Sequence, residues 1–189
     1  ASKVAQKKNA FKLPRLSARQ RYVRGLFSGG TFCYEASMLL ARELGEVRSN
    51  APVDPRMRLA NVHQSTGHTL VDLGDDEFTR GRPHPMIDFR LRNERIMAEA
   101  RDPEVGVILL DVVLGHGAHP DPAAELVPVL LRAQAVARKG GRKLALVGFV
   151  CGTEGDPQGL AGQIARLRDA GMLLAPTSTA AARLAARVV

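Results

Sequence analysis

Tryptophan is absent from the sequence, aromatic residues make up 4% of it, and cysteine occurs twice, as Cys33 and Cys151. With so few rings, the core must be built from Val, Leu, Ile and Ala, the composition of buried parallel strands and the helices that cover them. Two cysteines exclude a disulfide framework and a cysteine-based metal site, and they suit a reducing compartment. No apolar run reaches the roughly 18 residues that a membrane span requires, and the start of the sequence lacks the apolar stretch of a secretory signal. A cytoplasmic location and no membrane partner are therefore expected. Acid is missing from one stretch: residues 1–24 hold Lys3, Lys7, Lys8, Lys12, Arg15, Arg19, Arg21 and Arg24 with no Asp or Glu. Taking these eight from 27 Lys and Arg leaves 19, against 19 Asp and Glu, so the net charge of +8 resides in that stretch. A like-charged terminal run is ordinarily a solvated arm, and one is expected over residues 1–20. Nucleic-acid binding through the arm is the lesser reading, and it predicts steep salt dependence.

What is present fits a single domain over residues 21–189, since 189 residues give room for one sizeable core. Short branched apolar runs alternate with segments of helical periodicity, the pattern of repeated βαβ units. Five strands are expected: Tyr22 to Phe27, a run near Thr69 to Leu73, Val105 to Val113, Lys143 to Val150, and Met172 to Ala175. Helices are expected over about 31–44, 86–101, 122–139, 157–170 and 177–188. Thr31 is placed to cap the first of these, Asp102-Pro103 stops the second and Gly140-Gly141 closes the third. Residues 46–68, broken by Pro52, Pro55 and Gly67, read as an irregular excursion.

Parallel strands with right-handed crossovers collect their carboxyl ends on one edge, where open α/β sheets bind ligands. The loops expected there are Ser28 to Thr31, Gly74 to Asp76, Leu114 to Gly117, Cys151 to Thr153, and Pro176-Thr177. Glycines and small hydroxyl residues let backbone amides approach a ligand, and a helix start favours anions. Gly25 to Ala36 runs from strand through Ser28-Gly29-Gly30-Thr31 into a helix, without the Lys of a phosphate-binding loop or the third glycine of a dinucleotide motif. The residues alone leave both an anion site and a tight turn open. Between Asp72 and Asp88, the polar residues Asp75, Asp76, Glu77, Arg80, Arg82 and His84 can hold a carboxylate or carbamoyl group or form local ion pairs; His84 is the proton carrier among them. Asp111, His116 and His119 fall on the same edge, His63 and His68 lack a third metal ligand, and Cys151 reads more readily as an inert thiol than as a nucleophile.

The Ser28-Gly29-Gly30-Thr31 turn with Tyr34-Glu35-Ala36, together with Val71 to Asp75, Asp102 to Leu110 and Leu167 to Met172, resembles the ligase-CoA domain of succinyl-CoA synthetases over about residues 22–189. The run Asp72 to Asp88 and the segment Gly152 to Gln158 resemble the FdrA branch of that superfamily. The resemblance implies a flavodoxin-like, doubly wound α/β fold with helices on both faces of a five-stranded parallel sheet. It implies a component of an acyl-CoA synthetase or carbamoyltransferase acting on an acyl or carbamoyl substrate that bears phosphate or carboxylate. CoA or a nucleotide would come from another domain or subunit, and the partner would be a second copy or a chain with a CoA-binding-like domain. The synthetases carry phosphate on a histidine in the loop after the fourth strand; Gly152 to Gly159 contains none, so a phosphohistidine relay is not expected. The expected site has His84, Asp75 and Asp76 as catalytic residues and Ser28, Gly29, Gly30, Thr31, Arg80, Arg82, Gly152, Thr153 and Asp156 as binding residues, with no metal. The alternative is a noncatalytic assembly or ligand-binding module of a larger complex.

Overall fold

The computed structural model describes residues 13–189. Its strands are β1 (Tyr22–Phe27), β2 (Val47–Ser49), β3 (His68–Asp72), β4 (Val105–Val113), β5 (Ala145–Cys151) and β6 (Leu173–Leu174). Its helices are α1 (Gly30–Leu44), α2 (Asp76–Thr79), α3 (Arg90–Arg101), α4 (Pro122–Lys139), α5 (Leu160–Asp169) and α6 (Ser178–Val188). The strands form one parallel sheet in the order β2-β3-β1-β4-β5-β6. It has six strands rather than the expected five. The extra strand is Val47–Ser49, which lies in the stretch read as irregular and pairs with β3 at the margin. Three residues between proline-broken segments are too few to establish an alternation, whereas β4, nine residues with all but the last buried, announces a central strand.

Alternation along the strands feeds two cores. Val23, Phe27, Leu70, Val107, Leu109 and Val147 pack with α1 and α6, while Leu26, Val71, Ile108, Leu110 and Leu146 pack with α3, α4 and α5. Helix α4 begins on Pro122 with the Asp121 carboxylate accepting from the Ala124 amide at 3.2 Å, and it ends at Gly140. Thr31 does not cap α1: the helix starts one residue earlier, Gly29 is the capping position, and no side chain accepts from the first turn.

Of the expected arm, residues 1–12 lie outside the described residues. Residues 17–20 form a turn whose Gln20 amide donates to the Val105 and Lys143 carbonyls at 3.0 and 2.6 Å. Arg21 pairs with Glu104, and Arg24 is buried against Glu99 and Asp102 at 3.0 Å each. These two cations of the acid-free stretch thus belong to the folded body. Among the described residues, no helix is long and apolar enough to cross a membrane.

Candidate functional site

From β1 the chain moves outward to β2 and returns through β3; from β4 it moves the opposite way. The carboxyl ends of β1 and β4 therefore flank the point where the winding reverses, the place where such sheets hold ligands. Asp111, fully buried in β4, accepts from the Ser28 backbone amide at 2.9 Å and from the Ser28 hydroxyl at 3.0 Å. Beneath it lies the guanidinium of Arg92, also fully buried, which forms an ion pair with Asp111 and donates to the carbonyls of Leu26 and Asp111 at 3.1 and 2.6 Å. Burial pulls the Arg92 pKa down and the Asp111 charge opposes that. Ser28 thus anchors the turn, and the amides left for a ligand are those of Gly29, Gly30 and Thr31, where α1 begins without a side-chain cap.

The second wall comes from β3. Asp72 is 8% exposed; its Oδ1 accepts from the Gly74 amide at 2.8 Å, and Oδ2 faces Gly30, 3.0 Å from where a Cβ would lie. The Asn50 side chain fixes the Asp72 backbone by donating to its carbonyl at 3.0 Å and accepting from its amide at 2.9 Å. A Cβ on Gly74 would lie 2.6 Å from the Ser28 carbonyl and 2.7 Å from His84 Nε2, so glycine is what allows these groups to converge. His84 Nδ1 accepts from the Met86 amide at 3.3 Å, which places the neutral ring's proton on Nε2, the atom beside Gly74. Burial raises the Asp72 pKa above the ordinary carboxylate range; Asp75 and Asp111 add to the rise, and the Gly74 amide and His84 offset part of it. The folded chain therefore binds more protons at this carboxyl than the unfolded chain just above the usual Asp pKa, and this group's contribution to stability falls as pH rises through the folded value.

The third wall is the β5–α5 loop. Asp156 accepts from the Thr153 amide at 2.6 Å, and the Gln158 side chain accepts from the Gly115 amide at 3.0 Å and donates to the Gly115 carbonyl at 2.8 Å, tying this loop to the one after β4. Gly152 lies against Leu114 and Asp156. The remaining expected residues are placed differently. Asp75 caps α2 by accepting from the Glu77 amide at 3.0 Å, Asp76 begins that short helix exposed, and Arg80 is exposed at its end. Arg82 lines a groove of about 310 Å³ with Leu73, Phe78, Pro83, Pro85 and Leu91, a lining that does not include His84.

Three of the other histidines have structural surroundings, and His116 is exposed. His68 accepts from the Val23 amide at 3.2 Å and stands edge-on to Tyr22, His63 stands edge-on to Phe78, and His119 accepts from the Asp121 amide at 3.1 Å. Among the described residues no cluster of three metal-ligating side chains occurs. Cys33 is buried and its thiol is pushed up to about 12 by burial; Cys151 is exposed, yet partial burial and then the charges of Asp111 and Asp156 raise its pKa. At pH 7.5 iodoacetamide is therefore expected to label Cys151 more slowly than free cysteine and to leave Cys33 untouched until unfolding. Rapid labelling of Cys151, read by mass spectrometry, would contradict that assignment.

With this geometry in place, comparison with known proteins gives one family: the model of the CoA-ligase family matches residues 26–188. The chain belongs to the CoA-ligase family. This CoA-ligase chain is also similar to the Uncharacterized protein YahF of Escherichia coli (strain K12), at 46% identity over 165 residues, covering 87% of this chain and 32% of that protein. It thus spans about one third of its relative's length. Two residues of the CoA-ligase edge, Asp72 and Gln158, have no assigned role in the sequence reading. Asp72 sits at the end of an apolar strand and Gln158 in a polar loop, and in neither case does spacing along the chain reveal the partner.

Proposed function

We propose that this CoA-ligase chain is the ligase-CoA-type part of an FdrA-like acyl-CoA synthetase or carbamoyltransferase, with β3-β1-β4-β5-β6 as a flavodoxin-like sheet and β2 as an added margin. In this reading it takes the phosphate or carboxylate end of an acyl or carbamoyl group at the carboxyl edge. The observation that carries it is the uncapped start of α1 at the reversal of winding, with His84 Nε2 and Asp72 beside it. Free first-turn amides and the positive end of the helix favour an oxyanion. His84 is positioned to donate to that oxyanion, Arg82 to receive a more distant negative group at the groove, and Gly152, Thr153 and Asp156 to close the opposite wall. CoA or a nucleotide would be supplied by another domain or subunit, as a homodimer or a complex with a CoA-binding-like chain; the first-turn amides fit the phosphate of such a group. The cytoplasm is the compartment in which those partners are expected.

A thermal-shift screen of CoA, acyl-CoAs, adenine nucleotides, carbamoyl phosphate and oxamate tests the reading. A ligand at 100 times its Kd stabilises the native state by about 2.7 kcal/mol, which for a chain of this size raises Tm by roughly 5–10 °C. His84→Ala is expected to remove most of that shift and Arg82→Ala part of it, without lowering the unliganded Tm by more than about 2 °C. Absence of any shift across the screen would reject ligand binding by this chain.

A further inference from the structure

The edge holds a conflict. A bound oxyanion would meet the positive end of α1, but Asp72 Oδ2 already faces Gly30 there, and no donor of the described residues reaches that oxygen. A carboxylate so placed competes with an incoming oxyanion for the same positive end and repels it at short range. Asp72 has little room to withdraw, because Asn50 grips its backbone from both sides and Oδ1 is held by the Gly74 amide. Resting on the reading that the first turn of α1 takes an oxyanion, we infer that Asp72 binds a proton when that oxyanion binds and donates it from Oδ2 to an oxygen of the ligand. The proton comes from solvent, and it remains shared between carboxyl and ligand until the ligand leaves. Protonation turns the opposing charge into a second hydrogen-bond donor beside His84 Nε2.

The charged groups around Asp72 favour this. From the β3–α2 turn and the end of β4 it meets Asp75 and Asp111, both of which disfavour its charge; the Asp111 charge is partly taken by Arg92 of α3, and His84 is the one cation-forming group that opposes them. The first turn of α1 contributes no charged side chain. Because His84 lies beside Asp72 and is positioned to donate to the same ligand, the two groups must be separated by substitution.

Sulfate keeps its charge across the pH range of interest and is the probe. Its binding would be followed through the backbone amides of Gly29, Gly30 and Thr31 by NMR, from pH 5 to 8 at constant ionic strength. The wild-type chain is expected to lose at least about tenfold in affinity over that range, the size of an ordinary coupling between two sites. Asp72→Asn, which preserves the acceptor for Gly74, is expected to bind about as tightly at pH 8 as the wild type does at pH 5 and to be insensitive to pH. His84→Gln should retain the pH dependence with weaker binding throughout. In the wild type, the Asp72 carboxyl carbon should titrate at higher pH with sulfate present than without, a measurement that requires no variant to fold. A pH dependence that survives in Asp72→Asn and disappears in His84→Gln, or an Asp72 titration unmoved by sulfate, would overturn the inference while leaving the oxyanion site standing. No sulfate binding at these amides even at pH 5 would overturn both.

Discussion

Replacing Arg92 by methionine is expected to lower stability by about 3–5 kcal/mol, the cost of removing one partner from a fully buried ion pair. For a chain of this size that corresponds to a fall in Tm of roughly 6–20 °C, and it takes a large share of the about 5–15 kcal/mol that holds an ordinary domain together. Methionine approximates the length of the side chain, so the loss reports mainly on Asp111, left charged where water does not reach. Asp111 also anchors Ser28, and the damage should therefore reach the β1–α1 turn. The double variant Arg92→Met with Asp111→Asn should recover more than half of the lost Tm, because no unpaired charge then remains at this position while asparagine still accepts from the Ser28 amide. Thermal unfolding followed by circular dichroism decides the matter; a single variant within about 2 °C of the wild type would mean that the pair contributes nothing net.

Gly74→Ala is the second large effect and acts on the site itself. The added methyl would stand 2.6 Å from the Ser28 carbonyl, which is backbone, and 2.7 Å from His84 Nε2. Either the turn moves, weakening the Ser28 bonds to Asp111, or the imidazole is expelled. Overpacking of this kind costs about 1–3 kcal/mol, and oxyanion affinity is expected to fall by more than about tenfold, as for loss of a charge-assisted hydrogen bond. Gly29→Ala is the matched control: its backbone is extended at φ −166°, nothing lies within 4 Å of the new methyl, and its stability should stay within about 0.5 kcal/mol of wild type. Equal losses for the two alanines would show that the turn tolerates no side chain anywhere and that the convergence at Gly74 is not special.

The long elements were legible in the sequence. β1, β4 and α4 begin and end where the branched runs, Pro122 and Gly140 place them, since each is several residues of consistent pattern with a chemical stop. β2 and α2 were not, being three and four residues long, too short for a period to declare itself. The site divides in the same way. That a site is to be sought on the carboxyl edge follows from parallel strands alone, and the Ser28 to Thr31 turn follows β1 there, with His84 beside Gly74. What the sequence does not disclose is how each polar group is used: Ser28 and Asp111 are 83 residues apart, Arg92 of α3 and Asp111 of β4 are 19 apart, and Asp75, read as chemical, serves as a helix cap. The first of these pairings is decided by the register of β1 against β4 and the second by how α3 packs on the sheet, neither of which a local pattern encodes.

The margins of the sheet carry a different consequence. Its outer strands, β2 and β6, are three and two residues long, while the nine-residue β4 lies inside. A stray extended segment from another molecule would find only a few unpaired amides and carbonyls on either flank, too few to template the edge-to-edge growth that leads to fibrils. The chain thus keeps its most adhesive, valine- and leucine-rich strand out of reach of its neighbours, even when concentrated.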